Sequence, residues 1–265
     1  MKQPFETISF KTEKQVGYVI LNRTEVHNAF NDTMINELHL AFDSIEKYSD
    51  IRVVVLKGEG KSFCAGADLN WMRRIKNYSY EENLKESLAL ADMLYKIYTC
   101  SKPTIAQVHG YAIGGGTGLV AVCDIAVAST DCKFSFSEVK LGLIPACISP
   151  YVVKKCGEGR CREFFLTGER MSAEKAFNAG LVNIMVPPDC LEKAVQGLVE
   201  QLLSSGPEAI KKCKELLRAV PDMTPEEYKR YTAEVIAQMR ISDEAQEGMA
   251  AFLEKRKPNW VKEDV

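Results

Sequence analysis

Two glycine-containing segments hold residues whose types and spacing could do chemistry. Ala65–Asp68 (AGAD) follows one strongly apolar stretch, and Gly114–Gly116 (GGG) follows another. Small residues leave backbone N–H groups open to a ligand, and a glycine cluster that opens a helix presents unpaired N–H groups at the helix N-terminus. Two such donors that converge on one point would stabilise negative charge on a carbonyl oxygen. Either segment alone is also explained by a tight turn or by close helix packing.

The glycines do not fit the common nucleotide-binding or serine-hydrolase motifs. A GxGxxG motif from Gly114 needs glycine where the chain has Leu119, and a P-loop that ends in Gly60–Lys61–Ser62 needs glycine where it has Val55. The SxxK pattern at Ser137–Lys140 is short enough to arise by chance, and no GxSxG motif occurs. The sequence therefore gives little support to nucleotide or serine hydrolysis.

Composition excludes several other classes of protein. Hydrophobic residues make up 46% of the chain and charged residues 26%, which is ordinary globular composition, and the net charge of -2 argues against nucleic acid as the main partner. No apolar run approaches the roughly 18–20 residues of a membrane span, and the charged start is atypical of a signal peptide. Nine cysteines without a CxxC pair and three histidines without metal-ligand spacing indicate reduced thiols, a cytoplasmic location and no metal site.

Hydropathy patterns predict alternating strands and helices up to about residue 187 and helices only beyond it. The predicted strands are Thr7–Phe10, Val16–Leu21, Ile51–Leu56, Thr104–Val108, Cys123–Ala128 and Lys133–Phe136. The predicted helices begin with one that Asp32 opens and continue with Glu81–Tyr98, Leu191–Leu203, Pro207–Leu217, Pro225–Met239 and Asp243–Glu254. We therefore expect an α/β fold, with a core over residues 1–187 and a helical region over residues 188–265.

Motifs that run nearly end to end resemble those of the crotonase, or enoyl-CoA hydratase/isomerase, superfamily. They are LNRTEVHNAF (21–30), SFCAGADL (62–69), HGYAIGGGTGLVAVCDIAVAS (109–129), FSEVKLGLIP (136–145), GERMSAEKAFNAGLVNIMVP (168–187) and FLEKRKPNW (252–260). The resemblance implies a spiral of ββα units with a helical C-terminal trimerisation region, and hence a homotrimer or hexamer. It also implies an acyl-CoA substrate and no separate cofactor, because coenzyme A is part of that substrate.

The resemblance also assigns site residues by position. The N–H groups of Ala67 and Gly115 would hold the thioester oxygen, and the Glu138 carboxylate would move protons, although Glu138 alone could equally be an acid favoured at a helix N-terminus. His109 and Asp124 are expected to be structural. The residues expected to bind substrate are Ala65, Asp68, Leu69, Gly114, Gly118, Phe252 and Lys255; Lys255 could also be a solvated helix end.

The chain departs from the two-glutamate hydratase pattern at Gly118, where that pattern has a second glutamate. A second departure is Glu25, where some relatives have a basic residue near the CoA phosphates. Hydration of a 2-enoyl-CoA remains the expected reaction, with water held in the space that Gly118 leaves. The alternatives are isomerisation of a 3-enoyl-CoA by Glu138 alone and a decarboxylase of the same fold. SEVKLGLIPACISPYVV (137–153) is most similar to the branch that hydrates methylglutaconyl-CoA and related branched glutaconyl thioesters in leucine or terpenoid breakdown.

A binding function is the competing hypothesis, because one methylglutaconyl-CoA hydratase relative binds AU-rich RNA through a lysine-rich helix. The corresponding helix here, Asp32–Lys47, contains Glu37, Asp43 and Glu46 against Lys47 alone. A helix with this excess of acidic residues would repel phosphates, so the sequence disfavours RNA binding.

Overall fold

The main sheet of the structure, a computed structural model that describes residues 5–262, has the strand order β1-β2-β3-β4-β6-β9. A smaller sheet has the order β5-β7-β8. The strands are β1 Ile8–Glu13, β2 Val16–Leu21, β3 Val53–Gly58, β4 Thr104–Val108, β5 Tyr111–Ile113, β6 Ile125–Ser129, β7 Lys133–Ser135, β8 Arg170–Ser172 and β9 Ile184–Val186. The first hairpin, β1–β2, is antiparallel, whereas the rest of the main sheet is parallel.

Helices connect the strands and fill the C-terminal part of the chain. They are α1 Asp32–Lys47, α2 Leu69–Ile75, α3 Tyr80–Thr99, α4 Gly115–Val122, α5 Ser149–Thr167, α6 Ala173–Asn178, α7 Leu191–Ser204, α8 Pro207–Ala219, α9 Pro225–Arg240 and α10 Asp243–Leu253. The chain leaves the main sheet after β4, adds β5 to the smaller sheet and returns through α4 to β6. This repeated crossing between two sheets generates the expected spiral of strand–strand–helix units.

Both faces of the main sheet are buried, as is usual for parallel strands. Side chains alternate along β3, so that Val54 and Leu56 join the larger core cluster with α1, α3 and α4, while Val53 and Val55 join a second cluster on the other face. The second cluster is completed by α7 through Leu191, Val195, Val199 and Leu203. Although α7 lies within the predicted C-terminal region 188–265, it therefore packs as a layer of the α/β core.

The helical C-terminal region is attached at the amino ends of the parallel strands. Lys214 on α8 is buried and pairs with Asp124, which precedes β6, while its ammonium group also donates to the Lys102 carbonyl ahead of β4 at 2.9 Å. Arg52, just before β3, donates to the carbonyls of Ser205 at 2.5 Å and Trp260 at 2.8 Å. These polar contacts place α8 and the chain end at the edge of the sheet where β3, β4 and β6 begin.

Most of the predicted elements are confirmed, with differences at their ends. Strands β2 and β4 have the predicted bounds, whereas β3 begins two residues later than predicted. The Ile51 N–H donates to the Tyr48 carbonyl at 3.3 Å in the turn after α1, so Ile51 does not yet pair in the sheet. No bounds were predicted for α6 or for α5, a 19-residue helix in which Gly157 has non-helical φ and ψ. Nor did the hydropathy pattern identify α2 or the three-residue strands β5, β8 and β9. These elements are too short for a hydropathy period to identify them.

Candidate active site

The AGAD loop between β3 and α2 is fixed by hydrogen bonds to Phe30, which lies two residues before α1. The Phe30 N–H donates to the Gly66 carbonyl at 2.6 Å, and the Asp68 N–H donates to the Phe30 carbonyl at 2.7 Å. Because Ala67 lies between these two bonded groups in a parallel bridge, its own N–H faces away from Phe30. That N–H has no acceptor within residues 5–262, and Ala67 is exposed. A ligand oxygen can therefore accept from it.

The GGG segment turns the chain from β5 into α4. The Gly114 N–H donates to the Ser135 carbonyl at 2.8 Å, and Gly114 has φ 52° and ψ -120°, a conformation that favours glycine. Gly115 is the first residue of α4, so its N–H has no acceptor within the helix, and none elsewhere in the described chain accepts from it. The helix dipole adds partial positive charge at this end.

The two loops are held together by backbone hydrogen bonds and by close contacts. The Cys64 N–H donates to the Tyr111 carbonyl, and the Ile113 N–H donates to the Cys64 carbonyl, both at 3.0 Å. The side chain of Phe30 lies against Gly115, where a Cβ would come within 2.9 Å of its ring. The two predicted oxyanion donors, Ala67 and Gly115, thus both adjoin Phe30, one through its backbone and the other through its ring.

Glu138 lies directly beside this turn. It belongs to a 3₁₀ helix over Ser137–Leu141, and a Cβ added to Gly114 would lie 3.0 Å from Glu138 Oε1. The other oxygen, Oε2, is buried and has no hydrogen-bond partner among residues 5–262. Because burial penalises the charged form and only the residue's own N–H opposes it, the pKa of Glu138 is raised above its usual value.

A partly buried carboxyl group with a free oxygen and a raised pKa is suited to general acid–base work. Its ionised form can take a proton from a ligand held at the two N–H groups, and its protonated form can return that proton. The structure therefore brings the N–H groups of Ala67 and Gly115 and the Glu138 carboxyl group to two adjoining loops, as the predicted roles require.

The space that the sequence analysis expected beside Gly118 is filled, so the prediction of a water site there is wrong. Gly118 is buried, and a Cβ at this position would lie 2.1 Å from Cγ2 of Ile148. Ile148, which precedes α5, is itself only 3% exposed. Gly118 thus contacts a branched apolar side chain, and the structure leaves no room beside it for substrate.

The side chain of Asp68 makes structural contacts within its own chain, and its contact with substrate stays a prediction. Its side chain is the N-cap of α2, where Oδ1 accepts from the N–H groups of Asn70 at 2.7 Å and Trp71 at 3.0 Å. Its Oδ2 pairs with Arg23 at 2.9 Å. Although burial alone raises the pKa of Asp68, these hydrogen bonds and the Arg23 charge outweigh it and lower the pKa. Leu69, the next residue, is exposed and open to a ligand.

Ala65 lines a cavity of about 530 Å³ next to the oxyanion loops, together with Tyr111, Ile113, Lys140 and Arg170. The last two residues give the cavity a positive character. The sequence analysis missed Tyr111, Lys140 and Arg170 as candidate site residues. Tyr111 and Arg170 open β5 and β8, and the pairing of both strands with β7 was not visible in the hydropathy pattern.

Phe252 and Lys255 do not lie at the candidate site of their own chain, although both were predicted to bind substrate. Phe252 is exposed and lines a separate apolar cavity of about 470 Å³ with Met239, Met249 and Trp260. The Trp260 carbonyl is bonded to Arg52 at the start of β3, whereas the AGAD loop follows the other end of that strand. A six-residue strand spans about 20 Å, so the two regions lie at opposite ends of the sheet.

Other polar candidates are structural. His109 Nε2 lies 2.9 Å from the Gly60 carbonyl, and Asp124 accepts from the Thr104 N–H and hydroxyl besides pairing with Lys214. Within residues 5–262, no group of three or more His, Cys, Asp or Glu side chains could hold a metal ion. Nor is any helix of that range long and apolar enough to cross a membrane. All nine cysteines are free thiols in the structure of residues 5–262, and Cys190 and Cys213 are exposed.

Comparisons with known proteins agree with this fold. The family model for enoyl-CoA hydratase/isomerase matches residues 11–263. The mitochondrial enoyl-CoA hydratase of Pongo abelii is 35% identical over 92% of this chain and 83% of its own. An enoyl-CoA hydratase structure from Shewanella pealeana is 38% identical with a TM-score of 0.94, covering 97% of this chain and 96% of that one.

A crotonase structure from Legionella pneumophila, which is assigned to the hydratase/isomerase class, is 45% identical with a TM-score of 0.92. The match covers 97% of this chain and all of that one. The family match, the identity over nearly the whole length and the shared fold lead to one conclusion. The chain belongs to the enoyl-CoA hydratase/isomerase family.

Proposed function

We propose that the protein adds water to the double bond of a 2-enoyl-CoA thioester through an enolate that Ala67 and Gly115 stabilise. The observation that carries this proposal is the position of Glu138 Oε1, 3.0 Å from a Cβ placed on Gly114, beside two N–H groups with no protein acceptor. A thioester oxygen that accepts from both N–H groups draws electron density away from the double bond. The β carbon then becomes open to attack by water.

Glu138 is the group that moves the protons. Its carboxylate can accept a proton from the attacking water, and the resulting carboxyl group can protonate the α carbon of the enolate. The cavity lined by Ala65, Lys140 and Arg170 suits an anionic part of the substrate such as coenzyme A. No separate cofactor is required, because coenzyme A enters and leaves as part of the substrate.

For the acyl part we propose a branched, methylglutaconyl-like chain, and hence a role in leucine degradation. The sequence over residues 137–153 supports this choice by its similarity to that branch of the family. A glutaconyl substrate also brings a carboxylate of its own into a site that offers one from the protein. Short-chain 2-enoyl-CoA of fatty acid metabolism is the simpler alternative substrate.

Isomerisation of 3-enoyl-CoA to 2-enoyl-CoA is the second candidate reaction. It needs one base to shuttle a proton between two carbons, and Glu138 could do this alone. The filled space beside Gly118 favours this candidate, because it removes the place for a second carboxylate.

A panel of acyl-CoA thioesters tests the proposal. Crotonyl-, methylglutaconyl- and 3-enoyl-CoA would be incubated with the enzyme and with its Glu138→Gln variant, and the products identified by absorbance and mass spectrometry. We expect the native enzyme to give 3-hydroxyacyl-CoA, most rapidly from methylglutaconyl-CoA. Double-bond migration without added water would instead support the isomerase, and no conversion of any thioester would contradict both.

We further propose a cytoplasmic homotrimer or a hexamer of two trimers. Exposed apolar side chains on the C-terminal helices, such as Leu217, Ile241 and Phe252, support association through that region. Because Phe252 and Lys255 lie far from the site of their own chain, they could reach coenzyme A only on a second copy. RNA binding is not part of the proposal, and salt-dependent retention on RNA at micromolar protein would revive it.

A further inference from the structure

Gly114 and Gly118 lie one turn apart at the start of α4, and the Gly118 N–H donates to the Gly114 carbonyl at 3.1 Å. Gly114 lies just outside the helix, with φ 52° and ψ -120°, whereas Gly118 is a helical residue. Glu138 packs against the first glycine, with Oε1 3.0 Å from a Cβ built there. Ile148 packs against the second, with Cγ2 at 2.1 Å and Cβ at 2.9 Å from the equivalent position. A carboxyl group and a branched apolar side chain therefore contact two glycines that one helical hydrogen bond joins.

The helix itself supplies no further proton-transfer group. Its sequence, GGTGLVAV, contains one polar side chain, Thr117, whose hydroxyl donates to the Ala112 carbonyl at 2.6 Å and lies 3.0 Å from the Ser135 carbonyl. The remaining residues, Leu119–Val122, are apolar and buried. Ionisable side chains reach the helix from other elements: Glu138 lies against Gly114 at its start, and Lys155 of α5 donates to the Val120 carbonyl at 3.4 Å near its other end.

We propose that Ile148 is a specificity-determining residue that restricts the site to one carboxylate, so that Glu138 performs both proton transfers in turn. The inference rests on the proposed hydration of a 2-enoyl-CoA. Ile148 acts by occupying space, because any side chain at position 118 would collide with it. The methyl groups of Ile148 cannot hold or activate a water molecule. The attacking water must then be held by Glu138 and by the substrate itself.

The two transfers balance as follows. Glu138 removes a proton from water while the water oxygen forms a bond to the β carbon, and the π electrons of the double bond move onto the thioester oxygen as an enolate. The protonated Glu138 then gives that same proton to the α carbon, and the enolate electrons form the new C–H bond. The carboxylate is regenerated, and no other acid or base is consumed.

Substrate preference follows from this arrangement. A plain 2-enoyl chain has no group of its own to hold the water, whereas a chain with a carboxylate near the β carbon has one. The enzyme should therefore hydrate crotonyl-CoA more slowly than a glutaconyl thioester, and removing the Ile148 restriction should reduce that difference.

The test is the double variant Gly118→Glu/Ile148→Ala, compared with Ile148→Ala alone and with Val152→Ala. Val152 is a matched control, because it is buried one turn further along the chain in α5 and is equally apolar. We expect the double variant to hydrate crotonyl-CoA at least about tenfold faster than Ile148→Ala, since a second acid–base group contributes about 10²–10⁴-fold. Its pH profile should gain a second ionisation, and Val152→Ala should show neither change.

A second variant covers the case in which the double variant does not fold. Ile148→Glu keeps Gly118 and brings a carboxylate to the same place from the other side, so it should also gain crotonyl-CoA hydration. The one-carboxylate assignment would be overturned if both carboxylate variants fold and hydrate crotonyl-CoA no faster than Ile148→Ala. A native pH profile with two carboxylate ionisations would overturn it as well. A native enzyme that adds no water to any enoyl-CoA would instead overturn the proposed function.

Discussion

At the scale of single residues, the site shows a conflict between stability and function at Glu138. Its Oε2 is buried and has no hydrogen-bond partner in the described part of the chain, and burial raises the pKa of the carboxyl group. An unpartnered buried carboxylate costs free energy of folding, and a protein under selection for stability alone would replace it. The same raised pKa makes the group a better proton donor near neutral pH.

We therefore predict that Glu138→Gln abolishes activity without lowering stability. The folded-state pKa is raised above the usual 4.5, so the ionised form is the one that folding disfavours. The contribution of this group to the stability of the native protein is therefore fully present below pH 4.5. It is lost as the pH rises through the raised folded-state pKa. Glutamine cannot ionise, so at neutral pH the melting temperature should be equal or higher. A clear loss of stability in thermal denaturation would contradict this assignment.

Activity of the native enzyme should fall on acidification for the same reason. Glu138 acts first as a base, and protonation removes the base. The acidic limb of kcat/KM should therefore lie above the pH at which an ordinary glutamate titrates. A pH–rate profile that stays flat down to pH 4.5, the usual glutamate pKa, would show that another group is the base.

The N–H of Gly115 gives a second residue-scale prediction. A Cβ at this position would lie 2.9 Å from the Phe30 ring, so Gly115→Val should displace the donor and obstruct the thioester. Loss of one oxyanion donor costs about 10²–10³ in rate. Gly197→Val in α7 is the matched control, because nothing lies within 4 Å of a Cβ there. A folded Gly115→Val enzyme with near-normal turnover would contradict the assignment.

At the scale of elements, the short helix α2 follows the first oxyanion loop directly and depends on polar contacts more than on burial. Trp71 is its buried residue, and its indole donates to Glu86 on α3 at 2.6 Å. Asp68 caps the N-terminus and pairs with Arg23. These contacts fix the residue that follows Ala67 and thereby the direction of its N–H.

Asp68→Ala should consequently destabilise the protein by about 1–3 kcal/mol, through loss of a cap and of a charged hydrogen bond. Asp68→Asn, which keeps the cap, should cost less. The pKa of Asp68 is lowered below the usual 3.8, so its contribution is fully present above that pH and is lost as the pH falls through the folded-state pKa. Denaturant titrations of both variants at neutral pH and at pH 3 measure this; equal stabilities throughout would refute it.

Elements that are long and strongly periodic in hydropathy are predicted from the sequence better than short ones. Long amphipathic helices such as Asp32–Lys47, and apolar strands such as Thr104–Val108, follow from pattern alone. The same pattern cannot predict contacts between distant segments. Ile148 against Gly118 and Arg23 against Asp68 join residues 30 and 45 positions apart, and hydropathy carries no information about either pair. Candidate site residues next to the glycine loops could accordingly be proposed from the sequence, whereas Ile148, Lys140 and Arg170 could not.

At the scale of the whole molecule, the C-terminal helices and the candidate site occupy opposite ends of the main sheet. Lys214 and Arg52 fix the helical region at the amino ends of the strands. The AGAD loop follows the carboxyl end of β3, and hydrogen bonds join it to β5, which the GGG segment follows. The apolar surface at Phe252 and Leu253 is left exposed in the single chain. Association with another copy would cover this apolar surface, and its burial would stabilise the assembly.

Sedimentation should therefore find a trimer or hexamer at micromolar concentration. Phe252→Ala and Lys255→Ala should raise KM for the acyl-CoA more than they lower kcat, because they would act on coenzyme A from a second copy. A monomer at micromolar concentration, with native KM values in both variants, would contradict this arrangement.

The most direct measurement of the central claim follows oxygen from heavy-oxygen water into the product. The enzyme would be incubated with crotonyl-, methylglutaconyl- and 3-enoyl-CoA, and the label located by mass spectrometry, with Glu138→Gln as the control. The account predicts label at the β carbon of 2-enoyl substrates with the native enzyme and none with the variant. Double-bond migration without label on every substrate would contradict it.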